Sequence, residues 1–261
     1  MVIYDSRLVL IYLAIKYEGD YDKIELALRL KELPPAEEVV KVCESLKCKT
    51  LTLMDYDYPL ALKQIFRPPL VLFYYGDITL LKRQEILGVV GARENSDYGR
   101  FCTEKIVSRV APGRVIVSGL AKGIDAIAHQ CAIDNGGRTI AVLGSGIDYC
   151  YPPENQELYE EIKKNHLVIS EYPGMSTPDR GHFPMRNRII TGLAKGIYIP
   201  QINNYMSGTM ISVSQSLNLG KPIFVAPDQI DQPTINNQLI DEGAMFTIDG
   251  ETILVELEWQ N

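Results

Sequence analysis

Several clusters along the 261-residue chain combine small residues with cations at spacings suited to holding phosphate. In Val115-Ile116-Val117-Ser118-Gly119-Leu120-Ala121-Lys122-Gly123-Ile124-Asp125, a β-branched run gives way to small residues and then to a helix start. Ser118-Gly119 lets the backbone approach a ligand and Gly123 removes a side chain from the turn. A helix entered near Ile124 directs unpaired N–H groups at an anion. The pattern has neither the G-x-G-x-x-G spacing of dinucleotide sites nor the Walker lysine–serine pair, so it specifies phosphate without a particular cofactor. A tight βα turn with glycines for packing only is the other reading of the same residues.

Gly91-Ala92-Arg93 sets a guanidinium beside a glycine at a strand end, where it can grip a phosphate bidentately or instead pair with Glu94 or Asp97. Gly144-Ser145-Gly146, followed by Tyr151-Pro152 and Asn155, again permits close backbone approach; Asn155 is either a donor to phosphate or base, or a helix N-cap. In His182-Phe183-Pro184-Met185-Arg186-Asn187-Arg188, the two arginines diverge on a helix. One can face a pocket while the other makes a structural ion pair or backbone hydrogen bonds. Phe183 near Arg180 is the aromatic-plus-cation pairing that single-stranded nucleic acid uses, or else a core residue. Ser207-Gly208-Thr209 closes the cradle with backbone N–H groups or simply caps a helix.

A catalytic reading is weak. Asp125 and His129 are four apart on one helix with Ser118 before them, but Ser118 is not in a G-x-S-x-G elbow and the helix dipole alone favours Asp125 in a first turn. Cys43, Cys48, Cys102, Cys131 and Cys150 form no C-x-x-C pair and have no nearby histidine, which argues against zinc and against a disulfide framework. No cofactor or metal is expected, and the thiols fit a reduced cytoplasm.

The elements that must position these residues follow from periodicity. Residues 1–50 read as a small helical module, with apolar stripes at Leu8, Leu10, Ile11, Ala14 and Ile15 and again at Ile24, Leu26, Ala27, Leu28 and Leu30, stopped by Pro34-Pro35. Residues 50–76 read as an aromatic and proline-rich connector ending in a strand at 71–75. Strands are expected at 86–90, 115–118, 139–143, 167–170, 197–199 and 223–226, roughly 25 to 30 residues apart, the repeat of βα units in a doubly wound, mostly parallel sheet. Such sheets bind ligands beyond their carboxyl ends, which is where the candidate residues lie. Two domains are expected, 1–50 and 51–261.

Net charge is −7. Residues 81–200 hold 15 basic and 13 acidic side chains, the only one of three segments with a positive balance, whereas residues 1–80 hold 10 and 12 and residues 201–261 hold 1 and 8. A polyanion would therefore bind locally, in a pocket. No apolar run reaches the ~20 residues of a membrane span, and residues 1–15 carry Asp5 and Arg7 without a small-residue cleavage site.

In order and spacing, Val89-Val90-Gly91-Ala92-Arg93, Ser118 to Asp125 with Ala128-His129, Gly137 to Asp148, Tyr151-Pro152 with Asn155, Ser170-Glu171-Tyr172-Pro173, Phe183 to Ile190 and Ser207-Gly208-Thr209 resemble the DNA processing protein A family (DprA, or Smf) over about residues 55 to 250. The resemblance implies a Rossmann-like domain preceded by a small SAM-like helical domain. It further implies a cytoplasmic, non-enzymatic protein that binds and protects single-stranded DNA, forms a homodimer and loads the RecA recombinase during natural transformation. Carried over by position, the DNA-binding pocket falls on Arg93, the Ser118-Gly119 cradle with Lys122, Arg180 and Phe183, with Arg186-Asn187-Arg188 nearby. Gly91, Gly123, Ser207 and Gly208 complete the candidate site. The dimer face falls on Leu217, Ile240 and Phe246.

The chain departs from the family pattern at Pro153-Glu154, where many relatives have a basic residue, and at Pro200-Gln201. It departs again at Asp228 after Pro227 and at Ile235 before Asn237. These changes thin the far rim of the pocket. One rival is a nucleotide-processing phosphoribohydrolase of the same architecture, but of its Pro-Gly-Gly-x-Gly-Thr-x-x-Glu signature only Gly208-Thr209 survives, with no glutamate three residues on. The other is a protein-binding adaptor with a vestigial pocket.

Overall fold

The computed structural model describes residues 5–229 and 235–258. Three helices come first: α1 (Ser6–Lys16), α2 (Tyr21–Arg29) and α3 (Ala36–Glu44). Asp5 and Asp20 cap the first two by accepting from the Arg7 and Lys23 amides, and α3 begins directly after Pro35, where a missing N–H costs nothing. The buried face of α1, Val9 to Ala14, shares one apolar cluster with Phe73, Leu143 and Tyr159, so the helical module lies against a face of the sheet.

β1 (Lys49–Thr52) runs antiparallel to β2 (Val71–Gly76), with the short helix α4 (Leu60–Lys63) between them. The division expected after residue 50 thus falls inside a strand. From there strands and helices alternate: β3 (Ile86–Val89), α5 (Asp97–Val110), β4 (Val115–Ser118), α6 (Ile124–Asp134), β5 (Arg138–Gly146), α7 (Gln156–Asn165), β6 (Leu167–Tyr172), α8 (His182–Leu193), β7 (Gly196–Ile199), α9 (Gly208–Asn218), β8 (Ile223–Val225), α10 (Ile235–Asp241), β9 (Met245–Phe246) and α11 (Glu251–Glu258). All six expected strands of the doubly wound sheet are present, β5 running on to Gly146.

The nine strands lie in the order β1-β2-β6-β5-β4-β3-β7-β8-β9, parallel from β6 to β9 and antiparallel at β1 and β2. Helices cover both faces, which is why Leu87, Val117, Ile140, Val142 and Ile197 are fully enclosed. Each such side chain contributes about 1.5–3 kcal/mol by leaving water. Winding proceeds from β3 through β6 in one direction and then restarts with β7 on the other side of β3. That reversal opens a crevice at the carboxyl ends of β3 and β7. Among the described residues no helix is long and apolar enough to cross a membrane.

The departures at the far rim are built into this frame. Gln201 accepts from the Ser96 amide with its side chain and from the Ala92 amide with its carbonyl, and Asp228 and Asn237 exchange side-chain-to-amide bonds. Ile235 is 9% exposed and packs in the core.

Candidate nucleic-acid interface

At the β3/β7 reversal lies a cleft of about 320 Å³ walled by Gly91, Arg93, Phe183, Arg186, Asn187, Ser207 and Gly208, with Glu94 and Asp125 also on its surface. Phe183, Arg93 and Arg186 are shared with an adjoining hollow of about 60 Å³ whose other walls include Gly119, Lys122, Gly144 and Tyr151. A groove between α5, α6 and α7 is larger, about 800 Å³, but side chains of both charge signs line it and of the candidate residues it holds only Asn155.

Phe183 stands between the two hollows. The Arg93 guanidinium lies over its ring at 4.9 Å from the centroid, and Tyr151 is tilted against it at 6.1 Å. Gly144 supports the ring from beneath: a Cβ there would come within 2.9 Å of Phe183 Cδ1. Of the two alternatives for Arg93, the carboxylate pair is not formed. Arg93 pairs with neither Glu94 nor Asp97 and presents its charge at the mouth of the cleft, stacked on an aromatic face.

The two arginines of α8 diverge as their spacing requires. Arg188 turns to Glu171, 2.7 Å away, in an ion pair whose side chains are 5% and 8% exposed. Arg186 turns to the cleft and is itself 4% exposed, its Nη1 donating to the Val142 carbonyl at 2.7 Å. Its guanidinium lies against Gly119, where a Cβ would fall 1.5 Å from Nη1, so that glycine is fixed by the arginine's approach.

The loop at 118–123 differs from the open cradle expected of it. Ser118 Oγ donates to the Val89 carbonyl at 2.6 Å, and the Gly119 amide donates to Asp125 Oδ2 at 3.1 Å. The Ile124 amide, first of α6, donates to the Ala92 carbonyl. Gly123, at φ +76°, is needed because a Cβ would stand 2.4 Å from that same carbonyl oxygen. The carboxylate of Asp125 thus takes the place an external anion would hold. Burial raises its pKa, while Arg186 and the amides of Gly119 and Ala121 pull it down. Burial likewise lowers the Arg186 pKa, with Asp125 opposing. Asn155 takes the N-cap position of α7 without a capping bond; its Nδ2 donates instead to the Leu120 and Ala121 carbonyls and fixes the loop from the other side. Ser118 and Gly123 line neither hollow.

Open donors are found instead at the start of α9. Ser207 occupies the N-cap position in extended backbone but makes no capping bond, and its buried Oγ has no partner among the described residues. Among the described residues, the Gly208 and Thr209 amides meet no acceptor. Asn187 Nδ2 holds the Gly208 carbonyl at 3.0 Å. Lys122 reaches the smaller hollow but is held by Glu154 at its edge. Arg180 sits exposed on the loop before α8, outside the walls of both hollows. Asn203 and Asn204, in the polar run after β7, line the cleft and were not singled out by residue type. Ser118, Asp125 and His129 form no relay, since His129 Nδ1 pairs with Thr139 Oγ1.

Of the dimer candidates, Leu217 and Phe246 are 65% and 57% exposed, Phe246 on the edge strand β9. Ile240 is half-buried and packs against the core.

Residues 49–258 match the family model described as DNA recombination-mediator protein A. The DNA processing protein DprA of Bacillus subtilis is 36% identical over 247 residues, 92% of this chain and 83% of that protein. Its namesake in Streptococcus pneumoniae is 40% identical over 215 residues, 82% and 76% of the two chains. Among solved structures, the DNA processing protein A of Streptococcus pneumoniae superposes with a TM-score of 0.82 at 33% identity, covering 98% of this chain and 99% of that one. That of Helicobacter pylori, whose structure concerns its single-stranded DNA binding mode, gives 0.74 at 30% identity, covering 83% and 98%.

Proposed function

The chain belongs to the DNA recombination-mediator protein A family, and from that premise we propose that it binds single-stranded DNA in the cleft between β3 and β7. The observation that carries this reading is the Arg93–Phe183 stack at the cleft mouth: an exposed guanidinium with no salt bridge among the described residues, laid on the ring of a half-buried phenylalanine that borders both hollows. Phosphates are held by Arg93 and by the backbone N–H groups that open α9, and Phe183 contacts a base. Arg180 neutralises the strand where it leaves the cleft. Lys122 joins them by exchanging Glu154 for phosphate. The Ser118–Gly123 loop acts as scaffold, since its own donors are engaged.

Backbone contacts of this kind make sequence preference slight and salt dependence steep. In the same reading the protein protects incoming strands in the cytoplasm and loads RecA during natural transformation. It works as a homodimer through the face bearing Leu217 and Phe246, so that two clefts share one strand. Binding rather than catalysis is supported by Ser212, which stands where the phosphoribohydrolase signature has its glutamate, and by the separate partners of Ser118, Asp125 and His129.

Fluorescence anisotropy with a labelled dT oligomer tests the reading. Arg93→Glu, shown by circular dichroism to keep its fold, should bind at least about tenfold more weakly than the parent, because a phosphate contact becomes a repulsion. Equal affinity would overturn it.

A further inference from the structure

Arg93 is carried on residues 90–96, a stretch without regular backbone between β3 and α5. A long cationic side chain on such a loop has many conformations to lose before it can grip a phosphate. Here the loop is tied to the segment after β7. The Ala92 amide donates to the Gln201 carbonyl at 3.0 Å. Side chains hold the rest: Gln201 Oε1 accepts from the amide and the Oγ of Ser96, at 2.9 and 3.1 Å, and its Nε2 donates to Asn203 Oδ1 at 2.9 Å. Asn203 Nδ2 then donates to the Glu94 carbonyl at 2.6 Å. Two side-chain amides in series therefore bridge Ser96 to Glu94, the residue that follows Arg93.

The bridge is close-fitted and firmly based. Gly99, in the first turn of α5, leaves room for it, since a Cβ there would stand 2.0 Å from Gln201 Oε1. Behind it Asn236, fully buried on α10, accepts from the Ile202 amide and donates to the Pro200 and Ala226 carbonyls, which holds residues 200–202 to the end of β8. Asn203 lines the cleft, yet its oxygen meets Gln201 and its nitrogen meets Glu94, the arrangement of a brace and not of a group that reads bases.

We propose that Gln201 and Asn203 are positioning residues for Arg93, holding its loop so that the guanidinium already lies over Phe183 before a strand arrives. This rests on the single-stranded DNA reading above. The benefit is preorganisation: a side chain that need not be ordered on binding is worth about three- to tenfold in affinity.

The test is a double-mutant cycle with Asn203→Ala, Gln201→Ala and Arg93→Ala, read by anisotropy with a labelled dT oligomer at low ionic strength. Asn203 is exposed and Gln201 half-buried, so neither truncation opens the core. Each should weaken binding about three- to tenfold in the parent and less than about twofold in the Arg93→Ala background, because the residue it positions is then gone. The same loss in both backgrounds would mean that these side chains touch the strand themselves or support the cleft in general, and would overturn the proposal. So would an Asn203→Ala protein that binds as tightly as the parent. Both results leave the single-stranded DNA reading standing, whereas undiminished affinity of Arg93→Ala itself would bring down that reading and the positioning role with it.

Hydrogen exchange gives a readout that needs no DNA. Neither truncation removes the partner of the Ala92 amide, which is a main-chain carbonyl. That amide should nevertheless exchange about three- to tenfold faster in both variants, while those of β3 keep their protection. Unchanged exchange at Ala92 would overturn the brace, including where Arg93→Ala binds too weakly for the cycle to be closed.

Discussion

Gly119→Ala is the substitution whose consequence the geometry fixes most tightly. The new Cβ lands 1.5 Å from Arg186 Nη1 and 2.1 Å from Cζ, so the guanidinium must leave. Its bond to the Val142 carbonyl, 2.7 Å long and buried, is then lost. A buried hydrogen bond from a charged donor is worth about 1.5–3 kcal/mol, and an arginine forced off its rotamer adds about 0.5–1.5 kcal/mol. Against this, alanine restricts the unfolded chain and returns about 0.4–1 kcal/mol, a gain available because Gly119 is not among the glycines at positive φ. The net expectation is a loss of about 2 kcal/mol in urea unfolding, together with weaker binding of a dT oligomer because the cleft wall has shifted. A double-mutant cycle isolates the cause: in an Arg186→Ala background the collision partner is gone, and Gly119→Ala should cost almost nothing. Gly119→Ala as stable as the parent, or equally costly in both backgrounds, would refute the close approach as the reason for that glycine.

The remaining expectations are independent of one another. Arg188→Ala strands the Glu171 carboxylate in a site where both side chains were under a tenth exposed, and should cost about 3–5 kcal/mol by urea titration, with Glu171→Leu in combination recovering much of the loss. His129 is buried and neutral, its pKa pushed down from 6.5 to about 3 by burial and Arg186. The unfolded chain therefore binds a proton the folded one refuses: this contribution to stability is complete above pH 6.5 and falls by about 1.4 kcal/mol per unit below it, so His129→Gln should reduce the slope between pH 6.5 and 5 by that amount and leave the part due to His166 and His182, whose pKa values burial also lowers. Glu154→Lys frees Lys122 and adds a second cation at the rim. The dT affinity should rise and the salt slope steepen by about one to two, with no change in the unfolding midpoint because the pair is exposed.

Most of the sheet was legible because its strands are continuous β-branched runs buried on both faces, and the candidate residues sit where such strands end. The divergence of Arg186 and Arg188 followed from helical spacing alone. What periodicity could not give was tertiary. β1 at Lys49–Thr52 lay hidden at the head of a segment of aromatics and prolines, because a four-residue strand with only Leu51 and Thr52 buried is too short to show a period. The Ser118–Gly123 turn carries every local mark of an anion cradle, yet Asp125, six residues past Gly119, folds back to occupy it. That competition depends on a side-chain orientation that sequence spacing does not record. Arg180, placed with the pocket by resemblance, stands outside its walls, whereas Asn203 and Asn204 line it from a loop with no periodic pattern.

The claim on which the rest depends is that the β3/β7 crevice seats a nucleic-acid backbone, and a salt series of anisotropy titrations with a dT oligomer tests it most directly. The account predicts saturable binding at low ionic strength, with log affinity falling linearly against log salt at a slope of about −0.7 for each phosphate neutralised, and a shallower slope for Arg93→Glu. Absence of binding at low salt, or binding whose salt slope Arg93→Glu leaves unchanged, would contradict it.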